Sequence, residues 1–248
     1  MKAAALIPSR YASSRFLGKA LALINGKTLI ERVLERVKQS KNIDLAAVLT
    51  DDERIFEKVK SVGGDVFMTP QTCKSGTDRI AYATQNFLKN YDILLNNQGD
   101  EPLIDPVLID NLASTLKNDP KVDFITAACP FKDTESAKNP NNVKVVFDKD
   151  FWALFFSRSL IPYNRDQQAP TEYFKHLGIY GYKRGFLEAF EKYEPRALEK
   201  AESLEQLRAL EYGHKIKVII ADQDSIGVDE PHDILLVEKI INGDIDGK

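Results

Sequence analysis

The chain has 248 residues, of which 43% are hydrophobic and 29% are charged, and this composition is typical of a globular enzyme. Its formal net charge of −3 is too balanced for a general nucleic-acid binder, so any anionic ligand must be held by a local group of cations. No apolar run approaches the roughly 18 residues of a membrane span, the N-terminal apolar run is too short for a signal peptide, and Cys73 and Cys129 lack metal-type spacing. We therefore expect a cytoplasmic protein with reduced thiols that binds neither nucleic acid nor membranes.

Short apolar runs alternate with helical patterns over the first 130 residues. The predicted strands are KAAALIPS, DLAAVLTD, DVFMT, DILLNNQGD and DFITAACP, each bounded by polar or turn residues. Between them, residues 28–40 place five apolar side chains on one helical face, and residues 52–62 and 78–89 show similar spacing. This alternation predicts an α/β, Rossmann-like fold with a mostly parallel sheet that is covered by helices on both faces.

The pattern changes near residue 140. VKVVFDKD, FWALFFSRS and HLGIYGYKR are typical of strands, whereas residues 197–212 predict one long amphipathic helix that ends at Gly213. KIKVIIAD predicts a further strand, and a helix is expected to begin near Pro231. We interpret residues 1–248 as a single domain, in which 1–135 form most of a body, 136–212 form a smaller mixed α/β lobe and 213–248 return to the body.

The segment IPSRYASSRFLGK, residues 7–19, gathers Arg10, Arg15 and Lys19 directly after the first predicted strand. Ligands of open α/β sheets bind at the carboxyl ends of the strands, and the small residues of this loop allow backbone amides to approach a phosphate. A cation–phosphate pair about 4 Å apart is worth roughly 4 kcal/mol at an intermediate dielectric. The alternative is a solvated surface loop. A dinucleotide-dependent oxidoreductase is disfavoured, because neither G-x-G-x-x-G nor the P-loop pattern follows the strand.

Carboxylates occur at two places that could face this loop. Asp100 and Glu101 end the predicted strand in NNQGDEP, and Asp229 lies in SIGVDEPHD before the last predicted helix. Oxygen ligands of this kind favour Mg²⁺ over zinc. The alternatives are a turn residue for Asp100 and a helix cap for Asp229, and we expect Glu101 and Asp233 to be solvent-exposed or capping groups. In SGTDR, Asp78 is expected to cap the following helix.

A series of motifs in order along the chain carries a family resemblance. They are IPSRYASSRFLGK, SGTDR (75–79), NNQGDEPLI (96–104), NPNNVKVVFD (139–148), FFSRSLIP (155–162), KHLGIYGY (175–182), LEQLRALEYG (204–213) and GVDEPHDI (227–234). Together they resemble the 3-deoxy-manno-octulosonate cytidylyltransferase family over nearly the whole length. The resemblance implies that CMP is transferred from CTP to the anomeric hydroxyl of an eight-carbon acid sugar, for lipopolysaccharide biosynthesis, by a Mg²⁺-dependent homodimer. This chain departs from the family at Leu17 and Ala20, where proline is usual, and the loss of two φ constraints predicts a loop that ligand must order.

The resemblance also implies residue roles. Asp100 and Asp229 would hold the metal, and Arg15 and Lys19 would stabilise the transferred phosphate and its leaving group. The other predicted nucleotide contacts, which would lie in the body, are Arg10, Ser13, Ser75 and Gly76. His176, Glu205 and Gln206 match the family's sugar-binding residues, and Tyr180 shares the strand face of His176. Because the carboxylate of an acid sugar favours an arginine or a polar partner, the other predicted sugar contacts are Gln98, Arg158 and Arg165. The family uses the smaller lobe for sugar binding and dimerisation.

The residues by themselves leave several of these roles open. His176 and Tyr180 share one face of a strand by its period of two, and a packed core position is the alternative for His176. Arg165 could be exposed in a polar loop, and Glu205 with Gln206 could form a solvated helix face.

Other functions also stay open. The same reaction on 8-amino-3,8-dideoxy-manno-octulosonate is the alternative activity, and a cytidylyltransferase for sialic-type acids is more distant. A nucleotide-sugar sensor without turnover is the alternative from another functional class.

Overall fold

The computed structural model describes residues 1–12, 16–166 and 171–245. In chain order the strands are β1 (Ala3–Ser9), β2 (Leu23–Ile24), β3 (Lys27–Thr28), β4 (Leu45–Thr50), β5 (Asp65–Met68), β6 (Ile93–Asn96), β7 (Phe124–Pro130), β8 (Lys144–Phe147), β9 (Ala153–Ser157), β10 (Phe174–Lys183) and β11 (Lys217–Ile220). The α-helices are α1 (Leu29–Val37), α2 (Glu53–Ser61), α3 (Gly76–Asn86), α4 (Pro106–Asn118), α5 (Thr134–Lys138), α6 (Arg184–Phe190), α7 (Ala197–Glu202), α8 (Gln206–Glu211) and α9 (Asp233–Asn242). A short 3-10 helix covers Lys19–Leu21.

The main sheet has the order β11-β7-β10-β6-β1-β4-β5. β1 pairs in parallel with β4 and β6, β4 with β5, and β7 with β11. β10 runs antiparallel between β6 and β7, and β8 joins β10 to β9 at one end. The predicted mostly parallel α/β sheet is confirmed.

The core explains why the strands of the sheet read as continuous apolar runs. Along β1, Ala3, Ala5 and Ile7 pack into a cluster with apolar residues of α1 and α4, whereas Ala4 and Leu6 pack with residues of α3 on the opposite face. Alternate side chains of a strand point to opposite faces, so a strand that is covered on both faces has no polar side. Burying one large aliphatic side chain in this way contributes about 1.5–3 kcal/mol.

The predicted lobe shares this sheet with the body. Strand β10 belongs to the segment 136–212, yet it lies between the body strands β6 and β7. The division of roles among 1–135, 136–212 and 213–248 stays a prediction.

The predicted single helix over 197–212 is wrong. The chain forms α7 and α8 instead, separated at Ser203, whose φ of 52° is left-handed. Contacts from outside the helices hold this break, because the Glu202 carboxylate accepts hydrogen bonds from the Ser157 hydroxyl at 2.6 Å and from the Arg158 backbone N–H at 2.9 Å. These bonds join the end of α7 to β9, which periodicity in the sequence does not reveal.

Other sequence predictions agree with the structure. The last helix, α9, begins two residues after Pro231, and Cys73 and Cys129 are buried free thiols. In the described part of the chain, no helix combines the length and apolar character that crossing a bilayer requires.

Candidate active site

A polar cleft of about 420 Å³ opens at the carboxyl ends of β1 and β6. Its lining residues are Pro8, Ser9, Arg10, Ala12, Lys19, Ala20, Gln98, Gly99 and Asp100. The two strand ends come close because Gly99 has no side chain: a Cβ there would lie 2.8 Å from the Pro8 carbonyl oxygen. This is the edge at which α/β sheets bind ligands.

Lys19 joins the two predicted metal-binding aspartates. Its Nζ lies 2.6 Å from Asp100 Oδ2 and 3.3 Å from Asp229 Oδ1, and its side chain is 15% exposed. Both carboxylate oxygens contact one ammonium, so they lie within about 6 Å of each other, the sum of the two distances. The structure therefore brings together three predicted catalytic residues from distant parts of the sequence.

Hydrogen bonds from neighbouring residues hold the two aspartates in this arrangement. The Val228 N–H donates to the Asp100 carbonyl at 2.8 Å, which ties the loop after β6 to the loop before α9. Asp233 Oδ2 accepts from the N–H groups of Asp229 and Glu230, each at 2.8 Å. Asp233 is the first residue of α9 and not its cap, which is His232, and its carboxylate fixes the backbone of Asp229 through these bonds.

Glu101 differs from the expected exposed or capping acid. The Ser225 hydroxyl donates to Glu101 Oε2 at 2.9 Å. Burial, with the charge of Asp100 as the second cause, raises the pKa of Glu101 to about 7. That prediction was wrong because the carboxylate is bonded by Ser225, which is 124 residues away in sequence.

The cationic loop after β1 is anchored at both of its described ends. The Gly18 N–H donates to the Tyr11 carbonyl at 2.9 Å, and Gly18 adopts a φ of +71°, which favours glycine. The Arg54 guanidinium lies 3.3 Å from the centre of the Tyr11 ring. Arg10 is exposed and donates to the Lys74 carbonyl at 3.3 Å.

Two predicted phosphate contacts, Ser13 and Arg15, lie outside the described residues.

The start of α3 confirms the predicted cap at Asp78. Ser75 Oγ accepts from the Asp78 N–H, and Asp78 Oδ2 accepts from the Ser75 N–H, both at 3.0 Å, which is a capping box. The Ser75 N–H is therefore already bonded to Asp78 and is not available to donate a hydrogen bond to the nucleobase of a bound nucleotide. Gly76 lines a second cavity rather than the cleft that contains Arg10.

This second cavity, of about 250 Å³, lies between α3, β6, β10 and the break between α7 and α8. Its lining residues are Gly76, Thr77, Asn96, Gln98, Phe124, Tyr180, Tyr182, Phe190, Ser203, Leu204, Glu205 and Gln206. Four predicted sugar contacts are among them. Sequence reasoning missed Asn96 and Thr77, although a polar residue that ends the apolar run ILLN was an available signal for Asn96.

Gln98 lines both cavities, and its Nε2 donates to the Gly178 carbonyl at 2.8 Å. At the far wall the Tyr180 hydroxyl donates to Gln206 Oε1 at 3.2 Å. Burial raises the pKa of Tyr180 well above its ordinary value, so this hydroxyl stays protonated as a donor. Burial also raises the pKa of Glu205. The helix break, and not one face of a long helix, places Glu205 and Gln206 at the cavity.

His176 is a packed side chain. It is 8% exposed, its Nε2 lies 3.0 Å from Thr126 Oγ1, and its ring contacts those of Phe156 and Tyr180. Burial lowers the pKa of His176 to about 3, so the ring is neutral near pH 7. The prediction that His176 and Tyr180 share one face is confirmed by the contact between their rings. His176 also occupies the packed core position that was the alternative to a sugar contact. Its sugar contact stays a prediction.

Arg158 is held by backbone carbonyls. Its Nε donates to Glu202 O at 2.7 Å and its Nη1 to Pro140 O at 3.2 Å. These bonds place Arg158 as a support for the end of α7, and its predicted sugar contact is untested. Arg165 is exposed, and its sugar contact also stays a prediction.

The donor set at Lys19 suits a hard divalent cation. No group of three or more His, Cys, Asp or Glu side chains that could hold a metal occurs within residues 1–12, 16–166 and 171–245. Asp100 and Asp229 nevertheless converge on one cationic group, the Lys19 ammonium, and they offer oxygen donors. These two carboxylates fit Mg²⁺, which commonly takes one or two protein carboxylates and completes its shell with phosphate oxygens and water.

The fold and this site define a class of protein. A Rossmann-like sheet with a cationic cleft and converging carboxylates at its carboxyl edge is typical of nucleotide-dependent transferases. A family model described as cytidylyltransferase matches residues 4–216. The chain belongs to the cytidylyltransferase family and is a nucleotidyltransferase.

Individual relatives agree with this assignment. The chain is 47% identical over 243 residues, 98% of each chain, to the 3-deoxy-manno-octulosonate cytidylyltransferase of Syntrophus aciditrophicus (strain SB). It is 49% identical over 240 residues, 96% of this chain and 98% of the other, to the 8-amino-3,8-dideoxy-manno-octulosonate cytidylyltransferase of Shewanella halifaxensis (strain HAW-EB4). It matches the solved structure of CMP:2-keto-3-deoxy-manno-octonic acid synthetase complexed with CTP with a TM-score of 0.93 and 36% identity, over 99% of this chain and 100% of that one.

Proposed function

We propose that this protein transfers CMP from CTP to the anomeric hydroxyl of 3-deoxy-D-manno-octulosonate (Kdo), giving CMP-Kdo and pyrophosphate for lipopolysaccharide biosynthesis. The observation that carries the proposal is that Gln98 lines both the cationic cleft and the polar cavity. A triphosphate in the cleft and a sugar in the cavity would meet beside this residue, where the attacking hydroxyl and the α-phosphorus must come within about 3–3.5 Å. The names of the relatives support the same pair of substrates.

The chemistry requires positive charge near the triphosphate. Phosphoryl and nucleotidyl transfer depend mainly on positioning and on neutralising the charge that develops on the leaving group. Arg10 and Lys19 supply cations at the cleft. An ion pair with a phosphate about 4 Å away is worth roughly 4 kcal/mol at an effective dielectric of about 20, and solvent exposure reduces this for Arg10.

Asp100 and Asp229 would hold Mg²⁺. When bound, the metal neutralises phosphate charge and lowers the pKa of the attacking hydroxyl. Lys19 lies against both carboxylates and the cleft, so it balances negative charge at the point where carboxylates and phosphates come together. We assign no histidine as a base, and the low pKa of His176 is consistent with that.

The polar cavity would bind the polyol part of the sugar. Glu205 and Gln206 line it beside Tyr180, and all three offer groups that bond hydroxyls. Arg165 remains the candidate for the sugar carboxylate, since Arg158 is bonded to backbone carbonyls. The homodimer, which rests on the family resemblance, and the cytoplasmic location, which rests on composition and the short N-terminal apolar run, also remain proposals.

The test is pyrophosphate release measured with CTP, UTP and ATP, each combined with Kdo, its 8-amino analogue and a sialic-type acid. We expect Mg²⁺-dependent release with CTP and Kdo at the highest kcat/KM. A preference for the 8-amino analogue would replace the proposed sugar and keep the reaction. Binding of CTP without release from any sugar would indicate a sensor and would refute the proposal.

A further inference from the structure

Two residues that line the second cavity, of about 250 Å³, carry buried amide atoms without a hydrogen-bond partner in the described structure. They are Asn96 Oδ1 and Gln206 Nε2, and each residue is 3% exposed. Both residues line the cavity. Buried polar atoms are nearly always paired in native proteins, so an unpaired acceptor and an unpaired donor in one cavity point to a ligand that completes them.

Neighbouring hydroxyls define which atom of each amide is left for the ligand. Gln206 Oε1 accepts from the Tyr180 hydroxyl, which leaves the N–H donors of Nε2. Asn96 acts as a donor toward the Tyr182 hydroxyl, which opposes the rise that burial causes in the pKa of Tyr182, and Asn96 Oδ1 is left as an unpaired acceptor. Tyr182 is buried, Thr77 acts on its hydroxyl in the same way, and Thr77, Asn96 and Tyr182 all line the cavity.

This pattern differs from that of other unpaired atoms in the described chain. Asn97 and Thr84 also carry buried side-chain atoms without a partner, but neither lines the cavity. The unpaired acceptor of Asn96 and the unpaired donor of Gln206 are therefore distinguished by belonging to residues that line one cavity.

We propose that Asn96 is a specificity-determining residue whose Oδ1 accepts a hydrogen bond from a hydroxyl of the acid sugar, opposite the donor Gln206 Nε2. The proposal rests on the proposed function and adds Asn96 to it. A hydroxyl both donates and accepts, so it matches an acceptor and a donor in one cavity. A methylene would leave both amide atoms unpaired, and an ammonium, which donates but does not accept, would leave Gln206 Nε2 unpaired.

The experiment pairs a change in the enzyme with a change in the sugar. Kdo and a set of its mono-deoxy analogues are compared as substrates of the wild type and of Asn96→Leu, at saturating CTP, by pyrophosphate release. We expect Asn96→Leu to lower kcat/KM for Kdo roughly 10- to 100-fold through the KM for the sugar. The KM for CTP, titrated separately at saturating Kdo, should be unchanged. For one deoxy analogue, the wild type should show a lower kcat/KM than for Kdo, and this difference between the two sugars should largely disappear in Asn96→Leu.

Two further variants separate binding from folding. Thr84→Val removes a buried unpaired hydroxyl outside the cavity, and we expect unchanged kinetics. Asn96→Ser, a smaller polar replacement, is measured in the same way if Asn96→Leu does not fold.

If Asn96→Leu lowers kcat/KM by the same factor for Kdo and for every deoxy analogue, Asn96 does not contact a sugar hydroxyl. That result would overturn the role of Asn96 and leave the proposed function intact. A wild type that releases no pyrophosphate from CTP and Kdo would refute the proposed function, and the role of Asn96 with it.

Discussion

Removing the Lys19 charge should destabilise the protein in a way that a divalent cation reverses. Without the ammonium, Asp100 and Asp229 would face each other with oxygens at most about 6 Å apart, which is the sum of the two distances to Lys19. Two like charges at that distance repel by about 3 kcal/mol at an effective dielectric of 20. Asp229 is partly exposed, and solvent screening reduces the expected loss for Lys19→Met to about 1–2 kcal/mol in the free energy of unfolding at neutral pH.

The assay is urea unfolding of the wild type and of Lys19→Met with and without millimolar Mn²⁺ or Mg²⁺. A cation that binds the folded state alone adds stability by mass action, so the variant should recover most of its loss and gain more than the wild type does. Lys175→Met is the matched control, because Lys175 pairs with one carboxylate, Asp224, at 2.7 Å. This control should lose less than about 1 kcal/mol and should not respond specifically to the cation.

Two results would refute the reasoning. Lys19→Met could unfold at the same urea concentration as the wild type, or divalent cations could stabilise Lys19→Met and Lys175→Met equally. In either case Asp100 and Asp229 would not form a shared cation site.

Three further predictions concern turnover, stability and pH. Asp100→Asn and Asp229→Asn should each lower the rate of pyrophosphate release by roughly 100-fold or more with an unchanged circular dichroism spectrum, and a near-normal rate in either variant would contradict the metal assignment. Arg158→Lys should lower the free energy of unfolding by about 1–3 kcal/mol, because lysine cannot reproduce both carbonyl bonds; unchanged stability with a raised KM for the sugar would favour a sugar contact instead. His176 takes up its proton near pH 6.5 when unfolded but near pH 3 when folded, so its contribution to stability is present above about pH 6.5 and falls by up to about 1.4 kcal/mol per pH unit as the pH drops. His176→Gln should show a shallower decline in urea unfolding midpoints over this range, and equal slopes would contradict the burial argument.

Local pattern was sufficient for much of the fold. The apolar runs of β1, β4, β6 and β7 and the spacing of α1 identify strands and helices because both structures repeat over a few residues. The cap at Asp78 follows from residue type and position in the same way.

The sequence also supplied the chemistry of the site through its motifs. Lys19 follows the first predicted strand, Asp100 ends another, and Asp229 precedes the last predicted helix. The family resemblance assigns a role to each of them, and the structure brings them together.

Tertiary structure decided the environments of the other side chains. The break at Ser203 depends on bonds between Glu202 and strand β9, the burial of His176 depends on Thr126 and Phe156, and the unpaired Oδ1 of Asn96 depends on how α3, β6, β10 and α8 enclose a cavity. Local periodicity records which face of an element is apolar, whereas burial and hydrogen bonding are set by residues far away in sequence, and no short segment contains that information.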